Sequence, residues 1–245
     1  MPLVATVKIP KNRAGDSHTD SGRPKPHDCE EPALTTPRRA LVVVDVQQEY
    51  FDGPLEIQYP PRGQSLANIV AAVDVAAAHD VPVVIVQHRM PDDAPIFVEG
   101  TPGWSLHPDL EARVDSSCKR VHKQYGSVFA GTDLAEWLRA RDVDTITIVG
   151  YMTNNCDLAT AVEAEGLGFA AEILSDATGS IHLANEAGQV SAQSLHTTLM
   201  VLLQSNFAAV TTATQWAQAV QSGTSLPKNN LIESAVQGRS ATALV

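Results

Sequence analysis

One stretch decides how this chain folds: TITIVGYMTNNCDLATA, residues 145–161. Residues 145–149 are β-branched without a break, which is typical of a strand covered on both faces. Gly150 follows and permits a sharp exit that a residue with a Cβ would resist. A helix then begins near Thr153, whose hydroxyl we expect to cap the first turn. The stretch therefore predicts a buried strand, a tight turn and a helix.

Cys156 falls near the third position of this predicted helix. Free backbone N–H groups and the positive end of the helix dipole stabilise an anion there, so we expect its thiol to ionise more easily than that of a free cysteine. Cysteine is also among the most buried residue types, and a small apolar group beneath a helix would give the same pattern. The stretch alone leaves both interpretations open.

The composition is that of a globular protein, with 245 residues of which 44% are hydrophobic and 18% charged. A net charge of −11 argues against nucleic acid as a partner, because neutralising phosphates needs clustered lysine and arginine. No apolar run is long enough to span a bilayer, and residues 1–37 lack the apolar core of a secretory signal, so we expect a cytoplasmic protein without a membrane partner. Cys29, Cys118 and Cys156 include no Cys-x-x-Cys pair, which disfavours disulfides and structural zinc.

Strand and helix patterns alternate along most of the chain. Strands are predicted at 40–45, 83–86, 120–122, 145–149, 169–174 and 208–212, and helices at 64–79, 132–141, from 153, 187–205 and 213–221. This alternation predicts a mostly parallel sheet with helices on both faces, a three-layer α/β/α fold. We expect an N-terminal arm over 1–37, one domain over 38–221, and a C-terminal tail over 222–245 that is mobile or packs on another subunit.

Three side chains of different chemistry each follow a predicted strand: Asp45, Lys123 and Cys156. Ligands of open α/β sheets bind beyond the carboxyl ends of the strands, so these three positions are where catalytic groups are usually found. Each has an ordinary explanation when taken alone, since an acid there often caps a loop and a lysine there is usually solvated. Their joint placement indicates a catalytic site.

At these positions the sequence resembles the isochorismatase-like cysteine hydrolases, over about residues 38–219. The resemblance lies in VDVQQEYF at 44–51, in KQYGSVF at 123–129 with Thr132 and Leu134, and in GYMTNNC at 150–156 with Thr160 and Ala161. The loop GTPG at 100–103 also looks like one of the family's loops. Three segments in the family's order make the resemblance specific, and it implies a Rossmann-like sheet.

The resemblance implies a mechanism that these residues can support. Asp45 would accept the thiol proton of Cys156 and later give a proton to the leaving amine, while Lys123 holds both charged groups. Cys156 would attack a carbonyl carbon, and water would hydrolyse the resulting thioester. The backbone N–H groups of Met152 and Cys156 would form the oxyanion hole. In similar proteins the peptide bond before the first donor is cis, so we expect a cis Tyr151–Met152 bond.

Departures from the family pattern narrow the predicted activity to a metal-independent cysteine amidohydrolase. Nicotinamidases of the family carry an Asp-x-His metal site, and residues 52–62 here contain no histidine, so we expect no metal or other cofactor and disfavour nicotinamide as substrate. Isochorismate hydrolases lack a cysteine at the position of Cys156, so its presence favours a small amide, carbamoyl or cyclic amide compound. An enol-ether hydrolase and a non-catalytic binding protein on the same fold remain alternatives.

The substrate-binding residues can be named only as candidates. Members of the family are commonly dimers or tetramers, so we also expect a homodimer or homotetramer. The irregular segment 90–117 is expected to form a wall or lid of the pocket. The side chains that we expect to line the pocket are Gln48, Phe51, His88, Trp104, Tyr151 and Asn155.

Overall fold

The computed structural model of the protein describes residues 36–242, which fall within one compact unit, Leu34–Val245. All but the last two residues of the predicted N-terminal arm lie outside the described residues. The strands are β1 (Arg39–Val44), β2 (Val83–His88), β3 (Lys119–Lys123), β4 (Thr145–Tyr151), β5 (Ala170–Gly179), β6 (Leu183–Asn185), β7 (Gly188–Val190) and β8 (Ala209–Thr211). The α-helices are α1 (Arg62–Ala78), α2 (Pro108–Glu111), α3 (Leu134–Arg139), α4 (Leu158–Leu167), α5 (Ala192–Leu202), α6 (Ala213–Ser222) and α7 (Leu231–Thr242).

Six strands form one parallel sheet in the order β3-β2-β1-β4-β5-β8, and helices cover both of its faces. The predicted three-layer α/β/α fold is therefore confirmed. Alternate residues of β1 show how the layers form, because Leu41 and Val43 pack into one hydrophobic cluster while Val42 and Val44 pack into another. The first cluster joins the sheet to α1 and α6, and the second joins it to α3, α4 and α5.

Two segments differ from the sequence-based prediction. The predicted helix over 187–205 begins only at Ala192, since residues 183–190 form the small hairpin β6–β7 instead. Gly188 has a φ of +137°, and the Asn185 side chain accepts a hydrogen bond from the Ala187 N–H, so this segment turns where a helix would continue. The segment expected to be a tail contains helix α7, most of whose described side chains are exposed.

Candidate active site

Gly150 brings β4 close to β1 at the edge of the sheet where Asp45 lies. Val44 and Gly150 are register partners in these two parallel strands. Gly150 has a φ of +114°, and a Cβ on it would lie 2.1 Å from the carbonyl oxygen of Val44. A side chain at position 150 would therefore push directly on the backbone that precedes Asp45.

Lys123 joins the acid and the thiol. Its Nζ lies 2.6 Å from Asp45 Oδ2 and 3.3 Å from Cys156 Sγ, and all three side chains are buried. The three residues come from the ends of β3 and β1 and from the turn after β4, so the parallel order of the sheet brings them to one edge. The structure thus places an acid, an amine and a thiol in mutual reach, as the predicted mechanism requires.

Two further acceptors surround the same ammonium group. His88 Nδ1 lies 3.0 Å from Lys123 Nζ, and the backbone carbonyl oxygen of Tyr125 lies 3.1 Å from it. An ammonium group donates and cannot accept, so His88 Nδ1 must be the unprotonated nitrogen of a neutral imidazole. The other ring nitrogen, Nε2, lies 3.3 Å from Met90 Sδ.

Burial and charge decide the resting protonation of this site. Burial lowers the pKa of Lys123, but Asp45 and Cys156 outweigh that effect, so the pKa is raised and the ammonium keeps its charge. Burial and then Asp45 raise the pKa of the Cys156 thiol, and Lys123 offsets only part of that rise. The expectation that Cys156 ionises more easily than a free cysteine is therefore wrong for the resting site, where it is a thiol.

The backbone around Cys156 explains why the helix dipole does not dominate. Residues Thr153–Asp157 form a π-helical turn, and helix α4 begins only at Leu158. Thr153 does not cap this turn as expected, because its hydroxyl is hydrogen-bonded to His196 Nδ1 at 3.1 Å. Cys156 therefore does not lie in the first turn of a regular α-helix.

The peptide bond between Tyr151 and Met152 is cis, as predicted. The Met152 carbonyl oxygen accepts hydrogen bonds from the N–H groups of Asn155 at 3.0 Å and Asp157 at 3.2 Å. These bonds hold the turn that carries Cys156. The oxyanion hole formed by the N–H groups of Met152 and Cys156 stays a prediction.

The loop after Lys123 is attached to helix α4 by Thr160. The Thr160 hydroxyl donates to the Cys156 carbonyl oxygen at 2.7 Å and accepts from the Val128 N–H at 3.2 Å. Gly126 of the same loop lies against Asn155 and Ala159, each of which would be 3.4 Å from a Cβ added there. The lysine loop and the nucleophile turn therefore hold each other in place.

The residues predicted to bind substrate occupy different surroundings. His88 contacts Lys123, and exposed Asn155 lies beside the loop that follows Lys123. Trp104 contacts His122 edge-on, with 5.4 Å between ring centroids, and its backbone carbonyl accepts from Gln47 Nε2. These three lie at the same edge of the sheet as the triad.

The other three lie in or beside the core. Phe51 and Tyr151 are buried in one hydrophobic cluster, and the Tyr151 hydroxyl is hydrogen-bonded to Ser65 Oγ at 2.8 Å. Gln48 lines a cavity of about 560 Å³ together with Glu49 and Gly103. None of the triad residues lines that cavity.

Sequence reasoning did not single out Gln47 or Asp157. Gln47 is fully buried; its Nε2 donates to the carbonyl oxygens of His88 and Trp104, and its Oε1 accepts from the His88 N–H. Asp157 is also fully buried, and neither of its carboxyl oxygens has a hydrogen-bond partner among the described residues. The only sequence signal for Asp157 was an acid directly after the nucleophile, which by itself reads as an ordinary helix-start residue.

The triad lies just beneath the surface, with Cys156 2% exposed. A surface cavity of about 240 Å³ is lined by Tyr125, whose carbonyl oxygen contacts Lys123, but none of the triad residues lines this cavity. The rest of the lining is Arg89, His122, Gln124, Ala130 and Gly131. No acidic side chain lines this cavity, which suits a small polar or anionic molecule.

A metal ion does not fit the donors at this site. The potential ligand atoms of Asp45, His88 and Cys156 all lie within 4.8 Å of one another, which is close enough for them to bind one metal ion. Lys123 Nζ lies among them, however, at 2.6 Å, 3.0 Å and 3.3 Å respectively. A cation already sits between these donors, and a second one would be repelled by it.

Comparison with known proteins identifies the family. A family model described as an isochorismatase domain matches residues 39–215. The chain belongs to the isochorismatase family. The resemblance drawn from the three sequence segments is thereby confirmed.

Three similar proteins show how the relatives vary. The crystal structure of an isochorismatase-like protein from Burkholderia xenovorans LB400 is 49% identical, with a TM-score of 0.82 and coverage of 85% of this chain and 100% of that one. A secreted isochorismatase effector of Verticillium dahliae is 31% identical over 145 residues, which are 59% of this chain and 74% of the relative. The nicotinamidase/pyrazinamidase of Mycobacterium tuberculosis is 31% identical over 165 residues, 58% of this chain and 87% of the relative.

These relatives support assignment of the chain as an isochorismatase-family hydrolase. Equal identity to an isochorismatase and to a nicotinamidase means that overall similarity does not select the bond that is cleaved. Between residues 36 and 242, no helix combines the length and the apolar character needed to cross a membrane. A cytoplasmic location stays a prediction, since one relative is a secreted protein.

Proposed function

We propose that the protein is a metal-independent cysteine amidohydrolase that cleaves the C–N bond of a small amide, carbamoyl or cyclic amide compound. The observation that carries this proposal is the position of Lys123 Nζ, in contact with Asp45 at 2.6 Å and with Cys156 Sγ at 3.3 Å. A buried thiol beside an acid and a fixed cation is what nucleophilic attack on a carbonyl needs.

The first half-reaction begins with the protonated thiol. As Cys156 Sγ attacks the carbonyl carbon, its proton passes to Asp45, and the Lys123 ammonium stabilises the negative charge that develops on sulfur. The tetrahedral intermediate then collapses: the C–N bond breaks, Asp45 gives its proton to the leaving nitrogen, and a thioester remains on Cys156. The amine or ammonia leaves.

The second half-reaction releases the acid. Asp45 is again a carboxylate and can accept a proton from water as the water oxygen attacks the thioester carbonyl. The C–S bond breaks, the proton returns to sulfur, and the product is a carboxylic or carbamic acid. No step needs a metal or an organic cofactor.

An enol-ether hydrolase is the second candidate, because the Verticillium dahliae relative is named an isochorismatase. That chemistry needs an acid and has no use for a sulfur nucleophile. The contact between Lys123 and Cys156 favours the amidohydrolase, since the ammonium can stabilise the negative charge that develops on sulfur during attack on a carbonyl. A binding protein without activity would need neither the contact of Lys123 with Asp45 nor its contact with Cys156.

The test is ammonia or amine release from a panel of small primary amides, ureides and cyclic amides. Each compound is tested in a neutral form and in a form that carries a carboxylate, because the cavity that Tyr125 lines has no acidic side chain in its lining. We expect Cys156→Ala to reduce kcat at least about 1000-fold, as loss of a nucleophile does. Cys118→Ala is the matched control, because Cys118 is a free, partly buried cysteine outside the site.

The outcomes separate the candidates. Release that depends on Cys156 and is blocked by iodoacetamide supports the amidohydrolase. Undiminished turnover in Cys156→Ala would refute it, and turnover of an enol ether by that same variant would support the second candidate.

A further inference from the structure

The Lys123 ammonium has fewer N–H donors than there are acceptor atoms around it. It has three N–H donors, and four acceptor atoms surround it: Asp45 Oδ2 at 2.6 Å, His88 Nδ1 at 3.0 Å, the Tyr125 carbonyl oxygen at 3.1 Å and Cys156 Sγ at 3.3 Å. Three linear hydrogen bonds can form at one time. A protonated sulfur is the weakest of these four acceptors, so the resting thiol competes least well for an ammonium proton.

We propose that His88 is a positioning residue that competes with Cys156 for the Lys123 ammonium and thereby sets the pH at which the thiol ionises. This inference rests on the proposed function, because it takes Cys156 as the nucleophile. When Cys156 ionises, its thiolate must accept a hydrogen bond from the Lys123 ammonium, and one of the other acceptors must lose its hydrogen bond. A neutral imidazole loses less by this than a carboxylate does.

The surroundings of His88 fit a neutral acceptor. Gln47 hydrogen-bonds the backbone of His88 at both its N–H and its carbonyl, which holds the backbone that carries the ring beside Lys123. The ring packs edge-on against Phe97, with 5.1 Å between centroids. Burial and then Lys123 lower the pKa of His88, while Asp45 opposes the shift, and the ring is held neutral.

Other ionisable groups also act on Cys156 and stay unchanged in the test. Asp45 faces it from the end of β1, Lys123 from the end of β3, and Asp157 from the same turn, and each affects the ionisation of the thiol. Burial raises the pKa of Tyr50, which lies in the short helical turn after β1, and the charges of Asp45 and Cys156 raise it further. The comparison of His88 variants that differ in their acceptor atom therefore reports on the distribution of the ammonium protons.

The experiment measures alkylation of Cys156 by iodoacetamide as a function of pH, in a Cys29→Ser, Cys118→Ser background, so that one thiol reports. His88→Leu removes the competing acceptor, and we expect the midpoint of the alkylation profile to fall by about one pH unit, or about tenfold faster alkylation below the midpoint. His88→Asn keeps an acceptor oxygen near the Nδ1 position, and its midpoint should stay within about 0.3 units of the wild type.

The sign of the shift decides the proposal. Removing a cationic His88 would raise the midpoint, and removing a merely structural ring would leave it unchanged, so either result overturns the inference. The assay needs no turnover, and its failure is therefore distinct from a failure of the amidohydrolase proposal in the Cys156→Ala comparison. Should His88→Leu not fold, nitrogen NMR of the wild-type ring gives the answer: a proton on Nδ1 between pH 6 and 8 contradicts the proposal.

Discussion

Asp157 is an ionisable residue in a fully buried position. It is fully buried directly after Cys156, with both carboxyl oxygens unpartnered among the described residues. Burial, and after it the charge of Asp45, raise its pKa well above the ordinary value of 3.8, and Lys123 offsets part of the rise. The folded protein therefore holds Asp157 as a neutral acid at pH values where the unfolded chain ionises it.

The sign of the resulting pH dependence follows from proton counting. Between pH 3.8 and the raised pKa the folded state binds the extra proton, so Asp157 costs stability as pH rises. We predict that Asp157→Asn, which keeps the shape without the charge, increases the free energy of unfolding by about 1–3 kcal/mol at pH 7.5. Urea unfolding at several pH values checks this, and the gain should shrink toward pH 5.

Asp92→Asn is the control, because Asp92 is exposed in the loop after β2. Its effect should be within about 0.5 kcal/mol and nearly independent of pH. A destabilised Asp157→Asn variant would mean that the folded protein uses the carboxylate form, contrary to the raised pKa.

At the scale of elements, the packing of β4 against β1 ties the position of Asp45 to the turn that carries Cys156. Gly150 is the contact point, with no room for a Cβ beside the Val44 carbonyl. The hydroxyl of Thr160 then connects that turn to the loop after Lys123. Strand β1, the turn that carries Cys156 and the loop after Lys123 are therefore held together by these contacts.

We predict that Gly150→Ala destabilises the fold by about 3 kcal/mol or more and lowers kcat, because a Cβ at that φ would displace the backbone next to Asp45. Gly166→Ala is a matched control within α4, where nothing lies within 4 Å of an added Cβ. That change should leave kcat unchanged and stabilise the helix by up to about 1 kcal/mol. Thermal unfolding and steady-state kinetics of the two variants test the pair; equal effects would refute the close-approach argument.

Much of the element order was predictable because its strands are continuous apolar runs and its sheet is parallel. β1, β2 and β4 were predictable from runs of Val, Ile and Thr, and the parallel order of the sheet places Asp45, Lys123 and Cys156, which follow β1, β3 and β4, at one edge. The β6–β7 hairpin was not predictable, since it is held by turn geometry at Asn185 and Gly188 rather than by periodicity. The protonation of Cys156 was also beyond the sequence, because it depends on a π-helical turn and on burial by distant segments.

At the scale of the whole molecule, large apolar side chains are exposed on helix α5, at Val201 and Leu202, and on helix α7. Helix α7 exposes Leu231, Ile232 and Val236, with Ile232 at 78%. The segment before it is attached to the body by two hydrogen bonds, from Gln204 Nε2 to the Pro227 carbonyl oxygen and from Lys228 Nζ to the Asn206 carbonyl oxygen, and α7 itself contacts residues Leu203–Phe207. The expected homodimer or homotetramer stays a prediction, and α7 is not needed to complete the hydrophobic clusters.

We therefore predict that removing residues 231–245 leaves the thermal unfolding temperature of the chain within about 2 °C and Cys156 alkylation unchanged, because neither hydrophobic cluster includes a residue of α7. Differential scanning calorimetry of the truncated and full-length chains checks this. A control truncation at residue 212, which also removes α6 and its buried Trp216, should prevent folding.

The near-complete burial of Cys156 affects which thiol of the protein is oxidised first during storage. Peroxides oxidise thiolates that solvent reaches, and Cys156 is a 2% exposed thiol in its resting form. Stored in air, a preparation should keep its nucleophile reduced while the more open Cys118 is converted to sulfenic acid or mixed disulfides first.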